Sequence, residues 1–183
     1  MISKPRATVQ DLYAVPDNGK AEIVHGELVR MSTTGVKPGR AGGKIFASLL
    51  RHEEEHDGGF AIPDNVGFVV NLPGRDSFSP DVAWHVGNVD SMKFATGAPR
   101  FAVEVRSEND YGAAAERAIA NKIADYLLAG TLVVWNVDLM SQSVIRVYRA
   151  GSPANPTNFG RGEIAEAEPA VPGWTFPVDR LFT

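Results

Sequence analysis

The chain has 183 residues, 44% of them apolar and 22% charged, with no cysteine and a formal net charge of -4 at neutral pH. That length suits one domain, residues 1-183, with a sizeable core, and the missing cysteines exclude disulfides and thiolate metal sites, which fits a cytoplasmic protein. No run approaches the roughly 18 apolar residues of a membrane span, the Met1–Arg6 segment has no apolar signal core, and the acidic balance speaks against a protein that coats nucleic acid non-specifically.

Thr8 predicts the cap of a short helix carrying Val9, Leu12 and Tyr13, stopped by Pro16. Two short antiparallel strands are expected across Ile23 to Met31, with Gly26 at the turn. Thr33 to Gly43 is rich in glycine and basic residues and reads as a loop. The spacing of Ile45, Phe46, Leu49 and Leu50 then predicts a helix over 41–56, ended by Asp57-Gly58-Gly59. A strand is expected in G-F-V-V-N-L before Pro73-Gly74, a loop over Arg75 to Phe78, and a strand from Asp81. Gly87 to Pro99 is a connector with room for one helical turn near Ser91. A strand holding Glu104 follows, then an alanine-rich helix over 111–129, closed by Gly130. Thr131 to Asp138 is a buried strand, with Ser143 to Arg149 as its hairpin partner. Gly151 to Gly162 is a loop, and two short strand-like pieces close the chain. A strand, a crossover helix and a second strand form a parallel unit. The fold class is α/β, a mixed sheet flanked by helices.

Two of these strands share an anomaly. S-P-D-V-A-W (79–84) and F-A-V-E-V-R-S (101–107) are apolar runs each interrupted by one carboxylate, Asp81 and Glu104. A carboxylate in a buried strand is costly unless something neutralises it, and two on neighbouring strands suggest a shared cation. The 22 residues between them suffice to make the strands neighbours. A magnesium-class ion takes one or two carboxylates and completes its shell with water and substrate phosphate, and phosphodiester hydrolysis uses such an ion. Residues two apart on a strand share a face, so Arg106 is expected beside Glu104, with Lys122 laid across the sheet by the crossover helix. The competing reading is a structural salt bridge among the same groups.

E-I-V-H-G-E-L-V (22–29), P-D-V (80–82), V-E-V-R-S (103–107), Lys122-x3-Tyr126-x3-Gly130, V-V-W-N-V-D (133–138) and the closing P-G-W-x-F…L-F (172–182) occur in one order. Together they resemble a bacterial "putative restriction endonuclease" family, once catalogued as a domain of unknown function, of the PD-(D/E)XK nuclease superfamily. The resemblance runs from about Glu22 to Phe182. It implies an αβββαβ nuclease core, a divalent metal (Mg2+ or Mn2+) and DNA as substrate, with Asp81 and Glu104 as metal ligands. The superfamily lysine falls two residues after the glutamate, where this chain has Arg106; the family's lysine is displaced to the next helix, which Lys122 matches. Arginine stays protonated and is a poor base. Glu27 matches a recurring family acid that completes the site. Where the family often carries a histidine at the start of the first long helix, this chain has Arg40-Ala41-Gly42-Gly43.

The sequence-level conclusion is a metal-dependent DNA endonuclease using Asp81, Glu104, Lys122, Arg106 and Glu27, with a homodimer as the geometric expectation for cutting both strands. The alternative is a catalytically degenerate binding module on the same fold. A more distant one is a zinc hydrolase, because His52-Glu53-Glu54-Glu55-His56 matches H-E-x-x-H.

Overall fold

Side-chain alternation along a few short strands decides the architecture. The computed structural model describes residues 5–183, so of the leader segment Met1–Arg6, Met1–Lys4 lie outside the described residues. The elements run α1 (Val9–Tyr13), a 3-10 turn (Pro16–Asn18), β1 (Ala21–Val24), β2 (Glu27–Arg30), α2 (Val36–Glu55), β3 (Phe60–Ile62), β4 (Phe68–Leu72), β5 (Arg75–Phe78), β6 (Val82–His85), β7 (Ala95–Thr96) and β8 (Phe101–Val105). There follow α3 (Ala113–Leu128), β9 (Val133–Val137), β10 (Ile145–Arg149), β11 (Thr157–Phe159), β12 (Ile164–Glu166), β13 (Thr175–Pro177) and a closing 3-10 turn (Val178–Phe182).

A six-stranded sheet in the order β11-β10-β9-β8-β6-β3 forms the centre, beside a five-stranded sheet β2-β1-β5-β4-β7 and the small pair β12-β13. The β8–α3–β9 unit is parallel, with Val103 beside Trp135, and β6 lies antiparallel to β8, with Val82 opposite Val103. Successive residues of a strand point to opposite faces. Val82, Trp84, Phe101, Val103, Val133 and Trp135 therefore pack on α2 and the chain's end, where Ile45, Leu49, Trp174 and Phe176 are buried. Ala83, Ala102 and Val134 face the other way, against Ile123 and Tyr126 of α3 and Phe68 and Phe78 of the second sheet. All three tryptophans are core residues, 0–3% exposed. Among the described residues no helix is long and apolar enough to cross a membrane.

The expected hairpin is present, its turn made by His25 and Gly26 at φ 51° and 76°, the left-handed region that a two-residue hairpin turn requires. Thr8 caps α1 as expected: the Asp11 carboxylate accepts from its backbone N–H and its hydroxyl, at 2.7 and 2.8 Å.

Four expectations are corrected. Helix α2 starts at Val36, inside the expected loop. Pro38 falls in the first turn, where a missing N–H costs nothing, and Ala41, Gly42 and Ile45 are buried. Arg75 to Phe78 is not a loop but β5, paired with both β1 and β4. The connector after β6 holds no helical turn; instead Ala95 and Thr96 add a short parallel strand beside β4. The loop after β10 contains β11, which pairs back on β10.

Candidate active site

The face of the central sheet covered by α3 carries an ionic cluster in place of apolar side chains at its edge. Glu104 shares the parity of Ala102 and so points at α3. One residue beyond the Val82–Val103 pair places Asp81 beside it, and the Asp81 backbone N–H donates to the Val103 carbonyl at 3.0 Å. The Asp81 Oδ2 accepts the Val105 N–H at 2.8 Å, which fixes that carboxylate against β8.

Helix α3 answers with Lys122, Asp125 and Tyr126, three and four residues apart on one side of the helix. The Lys122 Nζ is 2.9 Å from Glu104 Oε2 and 3.0 Å from Glu22 Oε1, and the Tyr126 hydroxyl donates to Glu104 Oε1 at 2.7 Å. Tyr126 is held by stacking on Phe78, ring centroids 4.0 Å apart. The second sheet brings the rest. Glu22 of β1 accepts from Arg75 Nη1 at 2.6 Å and from the Ser79 N–H at 2.8 Å, and Arg75 Nε also reaches Asp125 at 2.8 Å. Just before β1, Lys20 Nζ lies 2.8 Å from Asp81 Oδ1 and 2.6 Å from Asp64 Oδ1.

These neighbours set the protonation states. Burial pushes the Glu104 carboxyl above its usual range, and the charges of Asp81 and Glu22 push the same way against Lys122. For Lys122 burial opposes the charge, but Glu104 and then Glu22 outweigh it and hold the ammonium above the ordinary lysine value. Lys122 is thus a fixed cation through the neutral range and not a base. Burial also opposes the charge on Glu22, yet Lys122 and Arg75 bring its pKa below the usual carboxylate value. Burial and the Glu104 charge raise the Tyr126 phenol well above its ordinary value, so it stays a hydrogen-bond donor.

With all groups ionised, the carboxylates of Glu22, Asp64, Asp81, Glu104 and Asp125 outnumber Lys20, Arg75 and Lys122 by two charges. The surplus, carried by hard oxygen donors, suits a divalent ion of the magnesium class. The Asp81 and Glu104 side chains remain 25% and 21% exposed, open to an ion with its waters. Among the described residues no group of three or more His, Cys, Asp or Glu side chains is arranged to hold a metal ion, so the protein would supply at most the two carboxylates and leave the rest of the shell to water and substrate.

Of the residues singled out in the sequence, Asp81, Glu104 and Lys122 lie together. Arg106 shares the face of Glu104 but is directed elsewhere: its guanidinium pairs with Glu116 of α3 and donates to Asn136 Oδ1 at 3.1 Å. Arg106→Met is expected to lower the unfolding free energy by about 2 kcal/mol in urea titrations and to leave Mn2+ affinity within about twofold of the parent. A large drop in metal affinity would return Arg106 to the site. Glu27 stands exposed on β2 across from Val24; the acid that meets Lys122 is Glu22, on the paired strand. The H-E-x-x-H residues serve packing. His52 and His56 stack at 4.3 Å, His52 also lies against Trp84, and the Glu53 carboxylate accepts the Ala61 N–H at 2.6 Å, tying α2 to β3.

Sequence reasoning gave no site role to Glu22, Lys20, Asp64, Arg75, Asp125 or Tyr126. Glu22 carries the signal that singled out Asp81 and Glu104, a lone carboxylate in the apolar strand A-E-I-V. Tyr126 stands one helical turn after Lys122. Arg75 and Lys20 carry no such mark.

A crystal structure described as that of a putative nuclease belonging to DUF820, from Anabaena variabilis ATCC 29413, superposes with a TM-score of 0.75 at 15% identity, covering 96% of this chain and 97% of that one. At that identity the likeness establishes the shared fold. No curated protein matches the sequence. The family profile described as "Uma2: Putative restriction endonuclease" matches residues 7–179, and the chain belongs to that family.

Proposed function

We propose that the chain is a divalent-metal-dependent endonuclease that hydrolyses DNA phosphodiester bonds, with Asp81 and Glu104 holding Mg2+ or Mn2+. One observation carries the proposal: two partly exposed carboxylates on adjacent antiparallel strands, with the Lys122 ammonium 2.9 Å from one of them. When bound, the ion supplies Lewis-acid stabilisation of phosphate charge and a more acidic water. Lys122 holds a permanent positive charge beside Glu104, placed to offset negative charge developing on a phosphate there. Tyr126 and Lys122 together orient the Glu104 carboxylate. Glu22 and Arg75 lock Lys122 and Asp125 of α3 against the second sheet. Away from the cluster, Arg40 and Lys44 of α2 both reach Thr183, at 3.3 Å each, and this pair of cations is the element we assign to the DNA backbone. A DNA substrate fits a cytoplasmic protein, and one site per chain makes a homodimer the route to double-strand cleavage.

A second reading has its own observation. Asp81 is paired to Lys20 and Glu104 to Lys122, so the cluster is partly neutralised from within, as in a nuclease fold kept as a binding module. Calorimetric titration of Mn2+ followed by plasmid cleavage separates the two. The endonuclease reading expects saturable Mn2+ binding, weakened by about 10–100-fold or more in Asp81→Asn, and Mn2+-dependent nicking of supercoiled DNA. Metal binding without nicking, or no binding, supports the module.

A further inference from the structure

Among the described residues Lys20 is the cluster cation that touches Asp81, and it does so at the carboxylate oxygen that the Val105 N–H leaves free. Asp81 Oδ2 is already turned to the Val105 N–H. The other oxygen, Oδ1, is 2.8 Å from Lys20 Nζ. The same ammonium is 2.6 Å from Asp64 Oδ1, on the loop between β3 and β4, and Asp64 is half exposed where Asp81 is only a quarter exposed. Asp64 is itself steadied by the Asn65 N–H at 2.7 Å. The Lys20 side chain is 15% exposed, and its backbone is fixed by the bond from the Met31 N–H to its carbonyl and by the strand pairing that begins at Ala21. An ammonium and a divalent ion at the same carboxylate repel each other strongly in a partly desolvated site.

We propose that Lys20 is a displaceable internal cation that competes with the divalent ion for Asp81, and that Asp64 is the anchor that retains it on release. This rests on Asp81 being a metal ligand, as proposed above. Lys20 thereby acts as a positioning residue: it holds Asp81 Oδ1 in place and sets how tightly the ion is held. Asp64 lowers the cost of releasing the ammonium by keeping a carboxylate beside it.

The test is calorimetric titration of Mn2+ into the full chain and into Lys20→Met, Asp64→Asn, Asp81→Asn and the Lys20→Met/Asp64→Asn double variant. Removing the competitor is expected to tighten Mn2+ binding by about tenfold, and Asp64→Asn to weaken it about threefold, both within the range seen for members of one ion network. In the Lys20→Met background the Asp64→Asn effect is expected to vanish, because Asp64 then has no ammonium to receive. An Asp64 effect that persists unchanged there is a simple field effect and overturns the anchor role. Equal or weaker Mn2+ binding in Lys20→Met overturns the competition itself, while Asp81→Asn still abolishing binding leaves the metal site standing. No Mn2+ binding in any variant overturns both proposals. Where Lys20→Met fails to fold, judged by its circular dichroism, Lys20→Gln makes the same comparison with a neutral polar end group in place of the ammonium. A second readout is the Lys20 side-chain NMR signal, expected to shift saturably with Mg2+ in the parent and to stay still in Asp81→Asn.

Discussion

Glu22→Ala is expected to lower the unfolding free energy by about 3–5 kcal/mol, the cost of breaking a buried ion pair from one side. Glu22 is 2% exposed and accepts from Arg75, Ser79 and Lys122 at 2.6–3.0 Å. Without it, among the described residues Arg75 keeps Asp125 and Lys122 keeps Glu104 as carboxylate partners. Against a total stability of about 5–15 kcal/mol for a domain, the loss is large enough to shift a urea midpoint plainly. The effect carries a pH signature. Burial works to raise the Glu22 pKa, but Lys122 and Arg75 bring it below the ordinary 4.5. A depressed carboxyl stabilises fully above its unfolded value and loses that contribution as pH falls through the folded one. The gap between parent and variant is therefore expected to be constant from about pH 6 to 8 and to close below about pH 4. A gap that holds in acid would mean the loss is packing and not charge.

Lys122→Met is expected to lower the single-turnover rate of plasmid nicking by about 10²–10³-fold at saturating Mn2+, the scale on which one aligned electrostatic donor acts in a transition state. The same variant is expected to retain Mn2+ binding, since the ion's proposed ligands, Asp81 and Glu104, are unchanged. Lys122→Arg, which keeps the charge, is expected to recover part of the rate. Burial lowers the Lys122 pKa while Glu104 and Glu22 raise it further, so the folded value lies above the ordinary 10.5. Its stabilising contribution is then fully present below that ordinary value and lost only as pH rises through the folded one. No limb of the activity profile between about pH 5 and 9 is expected to belong to it. An unchanged nicking rate in Lys122→Met would reduce this lysine to a structural counter-ion of Glu22 and Glu104.

How far the sequence could be read depended on whether the signal was local. The β8–α3–β9 unit was legible because apolar strands and an alanine-rich helix declare themselves within a few residues. Asp81 and Glu104 were legible because a carboxylate in an apolar strand is an anomaly on its face. Arg75 was not, because R-D-S-F is polar and becomes strand only through pairing on both sides, with β1 and β4. The glycines of α2 hid its first turns for a related reason: Gly39, Gly42 and Gly43 weaken helix propensity, and packing outweighs it. Gly42 faces the sheet, where an added Cβ would meet Val82 in ordinary van der Waals contact at 3.9 Å.

Arg106 shows where parity stops. Two strand residues on one face are about 7 Å apart, and the helix above them matches that step with the six residues from Lys122 back to Glu116, about 9 Å along its axis. Glu104 therefore meets Lys122 while Arg106 meets Glu116. The sequence by itself determined the fold class, the family and three members of the cluster, because periodicity and residue type are written along the chain. Only the tertiary structure decided that Glu22, Lys20, Asp64, Arg75, Asp125 and Tyr126 join them, because the pairing of two sheets under one helix is a relation between segments far apart in sequence.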